Sequence, residues 1–261
     1  MPVRSEPFHK AEQTTQLLFG EKAIVLETNN REWMRIRCAW DGYEGWCKQS
    51  QLTEITNKLY KHSNKYICAN HKGRIIFENS EMLLPLGSEP IGLKKGIIAV
   101  GNEQGIFKGK KLNKSKAAVT AANLENAALQ YLNAPYLWGG RSLSGIDCSG
   151  LTQMAFKLCN QAIPRDAYQQ AESGILVDFL QNSRCGDLAF FDDKDGRITH
   201  VGIILDNKSI IHAADSTGKV VIDSIDQGGI ISRVMRKRTH NLRFVKRFID
   251  NGAMVQRKWD F

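Results

Sequence analysis

Short apolar and β-branched runs, one of them strictly alternating and each bounded by turn residues, recur through the first 112 residues and again from about residue 187. Such runs belong to strands. Ala23–Glu27 is a short β-branched run, and Trp33–Cys38 alternates, with Trp33, Arg35 and Arg37 on one face and Met34, Ile36 and Cys38 on the other. Asp41-Gly42 is a turn signal, and Gly45-Trp46 begins another strand. The theme repeats at Tyr66–Ala69, Arg74–Glu78, Glu81–Leu86 and Gly96–Val100, separated by Gly, Asn, Ser and Pro. Two small β-barrels in series, over 1–56 and 57–112, fit this rhythm better than one large barrel. Lys108–Lys116 reads as a linker, and the Ala-rich stretch Lys116–Leu132 as a helix. A Gly-rich loop, Trp138-Gly139-Gly140-Arg141-Ser142, leads to a second helix opening at Asp147-Cys148. There Leu151, Met154, Ala155 and Leu158 fall on one face. A polar helical stretch follows over Ala167–Gly174. Strands are expected at Asp187–Phe191, His200–Leu205, Ser209–Ala213, Val220–Ser224 and Val245–Phe248, with a hairpin turn at Asp195-Gly196. The segment 113–261 is thus a mixed α+β domain.

Composition narrows the class. The 261 residues are 42% hydrophobic and 24% charged, as in globular proteins, which excludes disorder and collagen. No apolar run approaches the roughly 20 residues of a membrane span. The first ten residues lack the apolar core of a secretion signal. A cytoplasmic protein is therefore expected, or an exported one if a leader has been removed. The formal charge is 36 − 27 = +9. Its basic clusters, Lys108–Lys116 and Arg233–Arg247, read as solvated surface rather than a nucleic-acid site. The six cysteines lack CxxC spacing, so neither a zinc site nor any other metal or cofactor is expected. Gly105–Lys111 lacks the spacing of a phosphate loop.

The segment most suited to chemistry is Gly145-Ile146-Asp147-Cys148-Ser149-Gly150-Leu151. A cysteine in the first turn of a helix meets unsatisfied N–H groups and partial positive charge, which favour the nucleophilic thiolate. Gly145 and Gly150 permit close backbone approach. Cys159, three turns along the helix, reads as a buried hydrophobe. A base is supplied by His200, and His212 on the next, hairpin-connected strand shares its face. Cys148 would attack a carbonyl, His200 would pair with the thiolate and protonate the leaving amine, and His212 would orient His200. His9, His62, His71 and His240 read as surface residues, and Trp138 as packing.

Asp-Cys-Ser-Gly-Leu at 147–151, Thr-His-Val-Gly-Ile at 199–203 and Ile-His-Ala at 211–213 resemble the NlpC-type cysteine peptidases of bacterial cell-wall turnover, as do Tyr136–Gly140 and Gly186-Asp187-Leu188. The resemblance covers about residues 115–250 and implies a papain-like α+β fold. It also implies hydrolysis of the amide between γ-linked D-Glu and a diamino acid in peptidoglycan stem peptides. Trp33–Arg37, Asp41–Trp46 and Thr15–Glu21 resemble the bacterial Src-homology-3-like domains of two-barrel members. Those members cut free murein tri- or tetrapeptides with an exposed N-terminal L-Ala, releasing L-Ala-γ-D-Glu. By the same resemblance Tyr136 assists the oxyanion, and Asp147, Ser149 and Asp166 contact substrate. An acid and a tyrosine of the first barrel fall on Glu12 (or Glu6) and Tyr43. Asp147 also reads as a helix N-cap, and Asp166 as a cap of the 167–174 helix. A monomer is expected. A wall-binding protein with a degenerate peptidase domain, and a Cys/His acyltransferase, are the competing readings.

Overall fold

The computed structural model describes residues 1–29, 32–62, 64–250 and 253–255. The chain divides into two compact units after Ala117.

The first unit contains two β-modules with separate cores. Strands β1 (Pro2–Arg4), β2 (Gln13–Gln16), β3 (Ala23–Thr28), β4 (Trp33–Cys38) and β5 (Glu44–Lys48) form an antiparallel sheet in the order β2-β1-β5-β4-β3. Its core joins Val3, Leu17, Ile36, Cys38 and Cys47. Trp33 is buried along with Ile36 and Cys38, against the strict alternation expected. It lies between His9, edge-on at 5.2 Å, and the Lys48 ammonium. A short helix, α1 (Asn57–Lys61), leads to β6 (Tyr66–Cys68), β7 (Arg74–Ile76), β8 (Glu81–Leu83), β9 (Ile97–Val100), β10 (Glu103–Lys108) and β11 (Lys111–Asn113). These form a four-stranded sheet, β8-β7-β10-β9, and a β11–β6 pair around Cys68, Ile75, Leu84, Ile98 and Phe107. The supposed linker Lys108–Lys116 is therefore partly strand and ends in a 3₁₀ turn, and its Lys114 pairs with the buried Glu89 at 2.8 Å. Charge density alone misread it.

The second unit begins with α2 (Ala121–Leu129), later than the helix propensity suggested. Thr120 caps it: its Oγ1 accepts the Asn123 N–H at 3.2 Å, which fixes the first turn there. Two short strands, β12 (Arg141–Ser142) and β13 (Gly145–Ile146), precede α3 (Cys148–Leu158), and α4 (Ala167–Ala171) follows. Every residue of α3 is buried, polar ones included, so the one-faced pattern understated its environment. Then come β14 (Ile175–Val177), β15 (Leu188–Asp192), β16 (Ile198–Asp206), β17 (Ser209–Ala214), β18 (Lys219–Asp226), β19 (Gly229–Ser232) and β20 (Lys237–Arg247). They pair in the order β14-β20-β15-β16-β17-β18-β19, and β19 pairs again with β20, closing a barrel. The long β20 makes this possible. Its first half pairs with β19, its second half with β14, and β15 runs along its other side. The sheet face bearing Ala189, Phe191, Ile204, Ile210, Ile225 and Ile230 forms an apolar cluster. Basic residues of β20 sit in ion pairs: Arg238–Asp226 at 2.6 Å and Arg247–Asp187 at 2.8 Å.

Among the described residues, no helix is long and apolar enough to cross a membrane. The six cysteines are all free.

Candidate active site

Cys148 is the first residue of α3, and Asp147 is its N-cap. The Asp147 carboxylate accepts N–H groups from Gly150 and Gly139, both at 2.7 Å. It also receives Arg165 bidentately: Nη1 to Oδ1 at 3.0 Å and Nη2 to Oδ2 at 2.6 Å. Arg165 donates in addition to Ser149 Oγ at 2.8 Å. The helix start is thus pinned by a buried ion pair that the motif reading did not include. Gln170, on α4, braces the same turn. Its Nε2 donates to the Ser149 carbonyl at 3.1 Å, and its Oε1 accepts from Thr152 Oγ1 at 2.7 Å. The preceding loop packs against the turn without space for side chains: a Cβ on Gly150 would lie 2.3 Å from the Gly140 carbonyl oxygen. Gly150 therefore serves the close backbone approach anticipated for it, while a Cβ on Gly145 would meet the Leu137 side chain at 2.5 Å.

The thiol of Cys148 is buried, and the N–H groups of Val201 and Ser149 point at it. Sγ therefore accepts from the peptide N–H that follows His200. Burial pushes the thiol up to about 12, and the neighbouring Asp147 carboxylate adds to this; the two N–H groups and Arg165 oppose it without prevailing. The helix terminus was expected to favour thiolate. In the free protein, burial and Asp147 outweigh it, and the resting nucleophile is a neutral thiol.

The two histidines come together through strand register. In β16 and β17, Ile203 faces Ile211 and Ile204 faces Ile210. Continuing that register sets His212 opposite Gly202, two residues from His200 and on the same face. His200 Nε2 and His212 Nδ1 are 2.9 Å apart. Gly202 keeps the space between them open, since a Cβ there would lie 3.0 Å from His212 Cβ. One strand further, Asp223 Oδ2 lies 3.3 Å from His212 Nε2, and Asp223 Oδ1 accepts the Arg233 N–H at 2.8 Å. Burial raises the Asp223 carboxyl, but these two hydrogen bonds hold it below the ordinary value.

His240 is not a surface residue. Its ring stacks on that of His200 at 4.1 Å and 21°. Burial lowers it to about 4, helped by His212 and opposed by Asp223. His200 is held well below its ordinary value by burial, then by His240 and His212. Burial thus disfavours the charged form of both the Cys148 thiol and the His200 imidazole.

Tyr136 pairs in register with Ile146, two residues before the nucleophile. Burial and the neighbouring Cys148 and Asp147 raise its phenol, which therefore stays an O–H donor. Asp166 caps α4, and its N–H donates to Gln169 Oε1 at 3.3 Å. Tyr168, largely exposed, bonds to the Asp166 side chain. Trp138, expected to pack, is 60% exposed. Glu12 and Tyr43 belong to the first unit. Glu12 and its rival Glu6 are exposed between β1 and β2, while Tyr43 is half-buried against the Val3/Ile36 core.

Sequence reasoning missed Arg165, Gln170, Asp223 and His240. For Asp223 a signal existed: it interrupts the inward series Val221, Asp223, Ile225 with a charge, and a buried charge is always informative.

Comparison with known proteins follows the same division. Residues 133–239 match the NlpC/P60 family model, and residues 3–52 match the bacterial dipeptidyl-peptidase Sh3 domain. A γ-D-glutamyl-L-lysine dipeptidyl-peptidase of Bacillus subtilis is 33% identical over 79% of this chain and 74% of its own. Dipeptidyl-peptidase 6 of Lysinibacillus sphaericus is 26% identical over 85% of this chain and 88% of its own. The crystal structure of an NlpC/P60 family protein from Bacillus cereus superposes with a TM-score of 0.78, covering 91% of this chain and 83% of that one, at 22% identity.

Proposed function

Since this chain belongs to the NlpC/P60 family of cysteine peptidases, we propose that it hydrolyses the γ-D-Glu–diamino acid amide of free peptidoglycan stem peptides, releasing L-Ala-γ-D-Glu. The observation that carries this reading is that the backbone N–H of Val201, the residue after His200, bonds the buried Cys148 thiol, while the His200 ring is hydrogen-bonded to His212. The names of the B. subtilis and L. sphaericus relatives support the bond and the dipeptide product.

The chemistry follows from the protonation states. His200 Nε2 is engaged by His212, so Nδ1 is the nitrogen left for the thiol. As Sγ attacks the amide carbonyl, its proton passes to His200 Nδ1 in the same event, because neither partner is charged at rest. The Tyr136 hydroxyl donates to the developing oxyanion. His200 then protonates the leaving amine, and water attacks the thioester with His200 as base. Asp166 is our candidate for an acid that meets the substrate's N-terminal ammonium, which needs a carboxylate to offset its desolvation. The free cysteines suit a reducing compartment, and we propose that the reaction takes place in the cytoplasm.

The test is a paired digestion of L-Ala-γ-D-Glu-meso-diaminopimelate and its N-acetylated form, with products read by mass. Release of L-Ala-γ-D-Glu from the free peptide, about 10²-fold faster than from the acetylated one, is expected. Cys148→Ala must abolish it. Equal cleavage of both peptides would refute recognition of the amine, and cleavage of neither would refute the proposed substrate.

A further inference from the structure

The relay does not end at His212. His200 on β16, His212 on β17 and Asp223 on β18 form a diagonal across three adjacent strands, linked at 2.9 Å and 3.3 Å. We propose that Asp223 is a positioning residue that dictates which nitrogen of His212, and through it which nitrogen of His200, carries the proton. This rests on His200 being the base that serves Cys148.

The derivation uses only donor and acceptor counting. A carboxylate accepts and never donates. His212 must therefore present Nε2–H to Asp223 Oδ2. A neutral imidazole with its proton on Nε2 has only a lone pair on Nδ1. The contact between His212 Nδ1 and His200 Nε2 then requires the hydrogen on His200 Nε2. That leaves His200 Nδ1 as a lone pair, the one form able to take the thiol proton. Without a fixed acceptor beyond His212, the opposite arrangement satisfies the 2.9 Å contact equally well. In that arrangement the proton sits on His200 Nδ1, and the base is lost.

Asp223 is itself held in place. It is 1% exposed, and Oδ1 is committed to the backbone N–H of Arg233. This second bond makes the proposal sharply testable. In Asp223→Asn, the fixed Arg233 N–H demands the amide oxygen, so the amide NH₂ must face His212. His212 Nε2 becomes an acceptor, Nδ1–H becomes the donor, and His200 is driven to the Nδ1–H form. In Asp223→Ala nothing faces His212, and both forms are accessible. The closest isostere is therefore expected to be the worse enzyme. If Asp223 merely filled space and satisfied the barrel, the order would be reversed.

Two measurements test this. The first is kcat and KM on the free tripeptide for wild type, Asp223→Asn and Asp223→Ala. We expect kcat to fall by up to about 10⁴-fold in Asp223→Asn, the loss that follows when a catalytic imidazole is held in the wrong tautomer. Asp223→Ala should lose less, and KM should stay within about threefold in both. The second is ¹⁵N-detected NMR of histidine-labelled protein, which reads tautomers with no substrate present. Protons on Nε2 of His200 and His212 are expected in the wild type, and on Nδ1 of both in Asp223→Asn. An Asp223→Asn enzyme as active as Asp223→Ala or more so, or a wild-type His212 protonated on Nδ1 alone, would overturn the proposal. If neither variant folds, the wild-type spectrum alone decides. A substrate other than the tripeptide would leave the spectra unchanged, so failure of the functional reading is distinguishable from failure of this one.

Discussion

Replacing Arg165 by Leu should uncouple the nucleophile's helix from the rest of the catalytic unit. Arg165 is 1% exposed and supplies two guanidinium contacts to Asp147, at 3.0 and 2.6 Å, and one to Ser149. Removing one partner of a buried ion pair costs about 3–5 kcal/mol, because a charge is left uncompensated. Asp147 would keep the N–H groups of Gly139 and Gly150, so the lower figure, about 3 kcal/mol, is expected. For a unit of this size that corresponds to a fall in Tm of roughly 10 °C. Differential scanning calorimetry on the full chain reads it as a shift of the transition that Cys148-site ligands stabilise. Asp147→Asn added to Arg165→Leu removes the orphaned charge while retaining a capping residue. The double variant should therefore recover at least half of the loss. A drop below about 2 °C in the single variant, or simple additivity in the double, would refute the reasoning.

Other consequences are as direct. Iodoacetamide labelling of Cys148 should climb steadily between pH 7 and 10, because the thiol is pushed up to about 12; a plateau below pH 8 would mean a preformed thiolate–imidazolium pair. His240 is lowered to about 4, so between its ordinary value near 6.5 and 4 the unfolded chain binds a proton that the folded one declines. Stability should fall on acidification through that window, and fall less steeply, by up to one proton, in His240→Phe; identical slopes would refute the burial argument. Gly202→Ala places a Cβ 3.0 Å from His212 Cβ and 2.7 Å from Ile210 Cδ1. Displacing His212 this way should cut kcat about 10- to 100-fold while the molar ellipticity stays at the wild-type value.

What could be read from the sequence was local. A cysteine after an Asp cap, in front of a four-residue apolar repeat, announces the start of α3, and the structure begins α3 there. Two histidines flanking Asn207 on period-two strands share a face by parity alone, and they meet at 2.9 Å. The partners missed are those chosen by tertiary packing. Arg165 lies 18 residues from Asp147 and carries no periodic mark. His240 stacks on His200 from the half of β20 that pairs with β19. Its neighbours Arg238 and Arg243 made the segment look solvated. Trp138 failed in the opposite direction: size and hydrophobicity argued for packing, while the tight Gly139-Gly140 turn leaves the ring outside. Helix propensity ran too far upstream at Lys116 because a capping threonine outweighs a series of alanines.

The way β20 closes the barrel also bears on how the chain is made. Strands β15 to β19 emerge from the ribosome as a meander whose two outer strands both expose unpaired backbone. A single late segment, Lys237–Arg247, satisfies both of them. A nascent or truncated chain lacking it presents two raw edges at once, each a template for association with a neighbour. The same missing segment carries His240. Incomplete synthesis therefore yields a species with open sheet edges and without the ring that stacks on His200.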